Sequence, residues 1–229
     1  MRTPIYCRPA AHQLFEAEIA NLDTGAGLFR AAFAIALHER PEARIVEAET
    51  VVEQLATTVQ RRVHSNSKEA LLAHLHDVLF DVFGLRGNTD DYYNPANSYL
   101  PDVLHSHKGL PITLVLIYKR VAELVGLTVY GINSPGHFMA EVESAEGVSG
   151  RSMVVDPFFG GSVLTVQEAK ERIEQTAGRP LVVSTEWLPR ATHQQWLARM
   201  LVNLLSVFTA TGQERNMLAM QELLGLLEK

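Results

Sequence analysis

The segment from Ile112 to Val125 is almost wholly apolar, broken by Lys119, Arg120 and Glu123 near its end. A helix that is hydrophobic all round cannot lie on a surface, so the rest of the chain must wrap it. Pro111 suits the first helical position and Gly126 a left-handed stop. The chain then turns β-prone. Thr128 to Ile132 is β-branched and aromatic. His137 to Glu143 alternates Phe138, Ala140 and Val142 against His137, Met139, Glu141 and Glu143. Ala145 to Gly150 reads as a hairpin loop and Ser152 to Val155 as the next strand. Connections this short predict an antiparallel sheet. The expectation is a buried helix packed on a small sheet.

Helices are expected on both sides of that unit. Ala11 to Leu22, Gly25 to Glu39, Ala43 to His64 and Lys68 to Phe83 place apolar residues at helical spacing, with Asp23-Thr24 and Ser67 as caps. Gly84 to Ser98 is a long loop dense in turn formers, and Pro101 to Ser106 a short helix. Past the strands come Val166 to Thr176, a short extended piece at Leu181 to Ser184, and a helical hairpin of Thr192 to Thr211 and Gln213 to Leu227 around Gly212. The class is α+β. The organisation is an N-terminal helical region over 1–83, a core over 84–165 and C-terminal helices over 166–229, in one continuous globular unit.

The chemistry concentrates in two strand-like runs. His137 follows a Ser134-Pro135-Gly136 turn, and Asp156 closes Met153-Val154-Val155. A histidine and an aspartate on neighbouring strands form the base-and-orienter pair of nucleophilic catalysis. The only cysteine is Cys7, in a terminal segment that reads as loosely held. One cysteine excludes an intrachain disulfide and a cysteine-cluster metal site, and it suits a reducing compartment. Net charge is −6 with no Lys/Arg stripe, which argues against a nucleic-acid partner. No run is long enough to cross a bilayer and no leader is evident, so a cytoplasmic protein with no membrane partner is expected.

Four further patterns, in this order along the chain, carry a resemblance: Gly87-Asn88 with Tyr92-Tyr93-Asn94-Pro95-Ala96-Asn97-Ser98; Lys108-Gly109-Leu110-Pro111-Ile112-Thr113; Pro135-Gly136-His137-Phe138; and Asp156-Pro157-Phe158 with Gly160-Gly161. Together they resemble the bacterial SirB-type branch of the transglutaminase-like superfamily over about residues 20–228. Arg199 to Leu204 is similar to that family's C-terminal helix. The resemblance implies a papain-like core, in which a cysteine opens the central helix and faces histidine and aspartate. It matches His137 and Asp156 to the latter two. At the cysteine's place, around Pro111 to Thr113, this chain has no thiol.

The candidate site residues follow. His137 and Asp156 are the remnant of a triad, and Thr113 is the hydroxyl nearest the missing thiol, or a side chain capping its own helix. Tyr92, Asn97, Ser98, Lys108, Asn133, Gly136, Phe138 and Phe158 are candidates for ligand contact. Asn97 reads equally as a staple of its own loop. His105 and His107, with His137 and Asp156, could make a nitrogen/oxygen metal site, or be solvated helix-end histidines. Gly160-Gly161 lacks the lysine and hydroxyl of a phosphate loop and reads as a tight turn. No cofactor is expected. Three readings stand open: a binding or regulatory module for a peptide, amide or small ligand; a hydrolase or acyltransferase using a hydroxyl or a metal-bound water; and a helical surface that docks a protein partner.

Overall fold

A computed structural model describes residues 3–65, 67–143, 153–177 and 188–228. Four helices open the chain: α1 (Pro9–Ile19), α2 (Gly25–Ala36), α3 (Ile45–Arg62) and α4 (Lys68–His76). The caps fall where the sequence places them. Thr24 accepts from the Gly27 N–H, and Ser67 from that of Ala70. The fourth helix is shorter than its apolar periodicity suggests, because its last turns widen into a π-helical stretch, Asp77–Val82. The long loop that follows contains β1 (Arg86–Gly87), which pairs in parallel with β2 (Lys108–Gly109) across the short helix α5 (Leu100–Ser106). Two-residue strands leave no periodic trace in a sequence.

The apolar segment forms α6 (Pro111–Leu124), with buried residues on all its sides. Lys119 is tolerated inside because Nζ donates to Glu123 at 2.5 Å and to the Val129 carbonyl at 2.6 Å, which ties the helix to the sheet. The sheet is antiparallel, in the order β3 (Val129–Ser134), β4 (His137–Val142), β5 (Met153–Asp156), β6 (Ser162–Leu164). Pro135 and Gly136 make a two-residue turn that pairs Ser134 with His137.

All six residues of β4 are buried, whereas alternation suggests one wet face. The cause is a layer on each side of the sheet. Phe138, Ala140 and Val142 join the large core around α6. Met139 joins Ile132, Val154, Ala169 and Ile173 in a smaller core, the last two from α7 (Val166–Ala177). The strand's period of two therefore separates two apolar layers rather than core from solvent.

The terminal hairpin is α8 (His193–Ala210) and α9 (Glu214–Leu227), joined through Gly212 at φ 67°. Thr192 and Gln195 form a capping box at the start of α8. Gly131 lets α8 approach β3 closely, since a Cβ there would lie 2.3 Å from the Trp196 ring. The segment Tyr-Cys-Arg is not loose. The backbone N–H groups of Ile5, Tyr6 and Cys7 all donate to the Glu222 carboxylate on α9, and Cys7 is buried. No helix among the described residues is long and apolar enough to cross a membrane. The hairpin expected at Ala145–Gly150 and the extended piece at Leu181–Ser184 lie outside the described residues, as does Ser152.

Candidate functional site

His137 begins β4 and Asp156 ends β5, so the two central, antiparallel strands bring the side chains together at one end of the sheet. His137 Nε2 and Asp156 Oδ2 are 2.8 Å apart, and Asp156 is wholly buried. Two more donors hold the carboxylate: the Phe158 N–H at 3.2 Å to Oδ1, and Arg172 of α7 at 3.1 Å to Oδ2. An ionised Asp156 places the imidazole proton on Nε2. The lone pair then sits on Nδ1, which has no protein partner among the described residues. Phe158 stands edge-on to the imidazole, with ring centroids 6.1 Å apart, and Phe159 packs at 6.0 Å. The pair is therefore oriented by hydrogen bonds on one edge and by rings around it.

His137 faces a cleft of about 610 Å³. One wall is the first turn of α6, Leu110, Pro111 and Ile112; another is the Tyr92 to Pro95 loop with Ser98; a third is one side of α8 from Arg199 to Ala210. Leu110 caps α6 without a side-chain bond, Pro111 has no N–H, and the Ile112 N–H has no intrahelical acceptor. The positive end of a 14-residue helix thus opens on the cleft beside His137. Proline and isoleucine, and no thiol, form this turn.

Of the sequence candidates, Tyr92, Ser98, Gly136, His137 and Phe138 line the cleft. The others do not. Asn97 spans its own loop, donating to the carbonyls of Asp91 and Tyr92 and accepting from Asn88. Lys108 pairs with Asp90 at 3.2 Å. Asn133 holds Arg199. Phe158 braces His137 and Tyr92. Thr113 is fully buried, and its hydroxyl has no hydrogen-bond partner, so it neither caps the helix nor lines the cleft. His105 is exposed; His107 takes a left-handed conformation at φ 60° and packs on Phe83, centroids 4.1 Å apart. Among the described residues no group of three or more His, Cys, Asp or Glu side chains is placed to hold a metal ion.

Cys7 is not in the cleft. Burial, reinforced by the neighbouring Glu222 carboxylate, pushes its thiol pKa up to about 12. That is opposite to what a nucleophilic thiol needs.

Two arginines absent from the sequence candidates belong to the neighbourhood: Arg172, which secures Asp156, and Arg199. The latter is half-buried in the cleft wall. Its Nη1 donates to the Ser134 carbonyl at 2.6 Å and to the Asn133 side-chain oxygen, and its guanidinium lies 5.7 Å from the Phe138 ring centre. Burial lowers its pKa, opposed in part by the nearby Tyr92. The available signal was a cation amid buried Trp196, Leu197 and Met200, too far along the chain from His137 to be joined to it by spacing.

The chain is similar to uncharacterised bacterial proteins. It is 33% identical over 190 residues to a UPF0162 protein of Xylella fastidiosa (strain 9a5c), and this covers 81% of the chain and 66% of that protein. It is 24% identical over 191 residues to the UPF0162 protein PA3419 of Pseudomonas aeruginosa, again covering 81% of the chain and 66% of the relative. It is also similar to human F-box only protein 21, 30% identical over 164 residues, which are 68% of the chain and 24% of that protein. The chain thus spans just under two thirds of the length of the bacterial relatives. No solved structure matches it. The family model of the transglutaminase-like superfamily matches residues 47–202, which hold the whole of α6, the sheet and the His137–Asp156 pair. The chain belongs to the transglutaminase-like superfamily.

Proposed function

We propose that this chain is a transglutaminase-like domain of the SirB-type branch with no thiol in its cleft, and that the cleft binds a peptide, amide or small ligand beside His137 without forming a thioester. The observation that carries the reading is the juxtaposition at the start of α6. The imidazole is oriented by a buried carboxylate at 2.8 Å, and beside it Pro111 and Ile112 line the cleft in the stretch, Pro111 to Thr113, where the resemblance expects the thiol. The only thiol is buried elsewhere. A cleft of this size accommodates a di- or tripeptide. The free Nδ1 of His137 accepts a hydrogen bond from a ligand N–H or hydroxyl, and the first turn of α6 offers a donor to a ligand carbonyl.

The same Nδ1 favours a second reading, in which His137 acts as a base on water or a ligand hydroxyl and the domain hydrolyses or transfers acyl groups. The two readings separate in one experiment. A panel of N-acetylated dipeptides and their esters is titrated into the full chain and into His137→Ala, with ligand-observed NMR for binding and product analysis for turnover. Binding by the native chain that falls about tenfold or more in His137→Ala, without product, supports the binding reading. Product that depends on His137 favours catalysis. Equal binding by both proteins removes His137 from the site and overturns both readings.

A further inference from the structure

The chain carries 26 acidic residues and a net charge of −6, yet among the described residues no aspartate or glutamate lines the cleft, and Arg199 does. Arg199 has no carboxylate partner among the described residues. Its Nη1 is committed to Asn133 and Ser134, which fixes the plane of the guanidinium over the Phe138 side of the wall. The edge formed by Nε and Nη2 makes no hydrogen bond among the described residues. That edge is the parallel two-donor fork that matches a planar carboxylate. A half-buried cation held in place on one edge and left open on the other is arranged for an anion that arrives from outside.

We propose that the ligand of this cleft carries a carboxylate, received side-on by Nε and Nη2 of Arg199 while the rest of the ligand lies towards His137. The inference rests on the cleft being the binding site, and it adds the chemical class of the ligand. A carboxylate fits better than a phosphate dianion, because Arg199 is the single Lys or Arg among the described lining residues and two-donor planar recognition saturates its free edge. Tyr92, Pro111, Ile112 and Phe138 supply apolar surface for the body of a short peptide. The carboxylate can be a chain terminus or an acidic side chain, and the sign of the cleft excludes neither.

The test uses N-acetylated dipeptides in three matched forms: a free terminal carboxylate, a terminal amide, and a terminal amide with glutamate as the second residue. Binding to the full chain is compared with binding to Arg199→Gln and Arg199→Lys, the latter keeping the charge without the two-donor edge. A charge-assisted pair predicts that one acid form binds about ten- to a hundredfold more tightly than its uncharged partner. Arg199→Gln should abolish that preference, and Arg199→Lys should reduce it. Arg199→Lys keeps the test valid if Arg199→Gln disturbs folding. Which acid form wins identifies the source of the carboxylate. Amides that bind as tightly as acids, or an acid preference that survives Arg199→Gln, overturn the carboxylate assignment and leave the binding role of the cleft standing. Failure of every form to bind the native chain overturns both.

Discussion

His137 and Arg172 contact the same atom, Oδ2 of Asp156, at 2.8 and 3.1 Å. The carboxylate is wholly buried, so its charge is tolerable only because both neighbours and the Phe158 N–H share it. Replacing Asp156 with alanine strips three donors of their acceptor at once. The expected loss is about 3–5 kcal/mol, read as a lower urea midpoint. Asp156→Asn keeps an acceptor for the Phe158 N–H but loses the charge that faces Arg172, so a smaller loss is expected. Equal stability of Asp156→Ala and the native chain would mean that the pair carries no structural weight.

Thr113 offers a test with the opposite sign. Its hydroxyl is buried without a partner, so Thr113→Val removes an unsatisfied polar atom and keeps the shape. Stability should stay level or rise by about 1 kcal/mol, and dipeptide binding should not change. A loss of binding or of turnover would place the hydroxyl in the chemistry after all. Calorimetric unfolding and the same titrations measure both.

His76 predicts a pH dependence. Its Nε2 lies 2.9 Å from the Tyr118 hydroxyl, and burial lowers its pKa to about 4. In the unfolded chain it titrates near 6.5, so between about pH 6.5 and 4 the unfolded state binds the extra proton. The contribution is intact above pH 6.5 and is lost as pH falls towards 4. Burial also holds down His38 and His193, which gives the native chain further slope of the same sign. His76→Gln keeps a partner for Tyr118 and should flatten the decline, by at most about 3 kcal/mol over that range. An unchanged slope in urea titrations at pH 7, 5.5 and 4.5 would contradict the assignment.

Gly131 sets the distance between α8 and the sheet. A methyl group there meets the Trp196 ring, which is itself fully buried and hydrogen-bonded to the Ile112 carbonyl at 3.3 Å. Gly131→Ala should cost about 1–3 kcal/mol through overpacking. It should also weaken ligand binding, since Arg199 sits one turn beyond Trp196 on the same helix. Retained affinity in a folded Gly131→Ala protein would show that the wall tolerates displacement.

Much of the fold was legible where local chemistry is self-sufficient. The apolar α6, the caps at Thr24 and Ser67, the break at Gly212 and the turn before His137 all express rules that operate within a few residues. The His137–Asp156 encounter was legible because both lie at strand ends in one short antiparallel unit. What stayed hidden depends on long-range packing. The alternation in β4 reads as one buried face until α7 covers the other. Cys7 looks loose until Glu222, far along the chain, collects three backbone N–H groups. Arg199 looks like one residue of a helix until β3 presents Asn133 and Ser134 to it. Of the residues named for ligand contact from sequence, Asn97 and Lys108 serve their own loop, Asn133 holds Arg199 and Phe158 braces His137, and spacing alone cannot distinguish a side chain that serves the fold from one left for a ligand.

Ligand binding in the cleft without sulfur is tested most directly by the affinity of the best-binding N-acetylated dipeptide for Cys7→Ser beside that for His137→Ala. Native affinity is expected for Cys7→Ser, and at least about a tenfold loss for His137→Ala. Loss of binding in a folded Cys7→Ser protein, with His137→Ala unaffected, would contradict it.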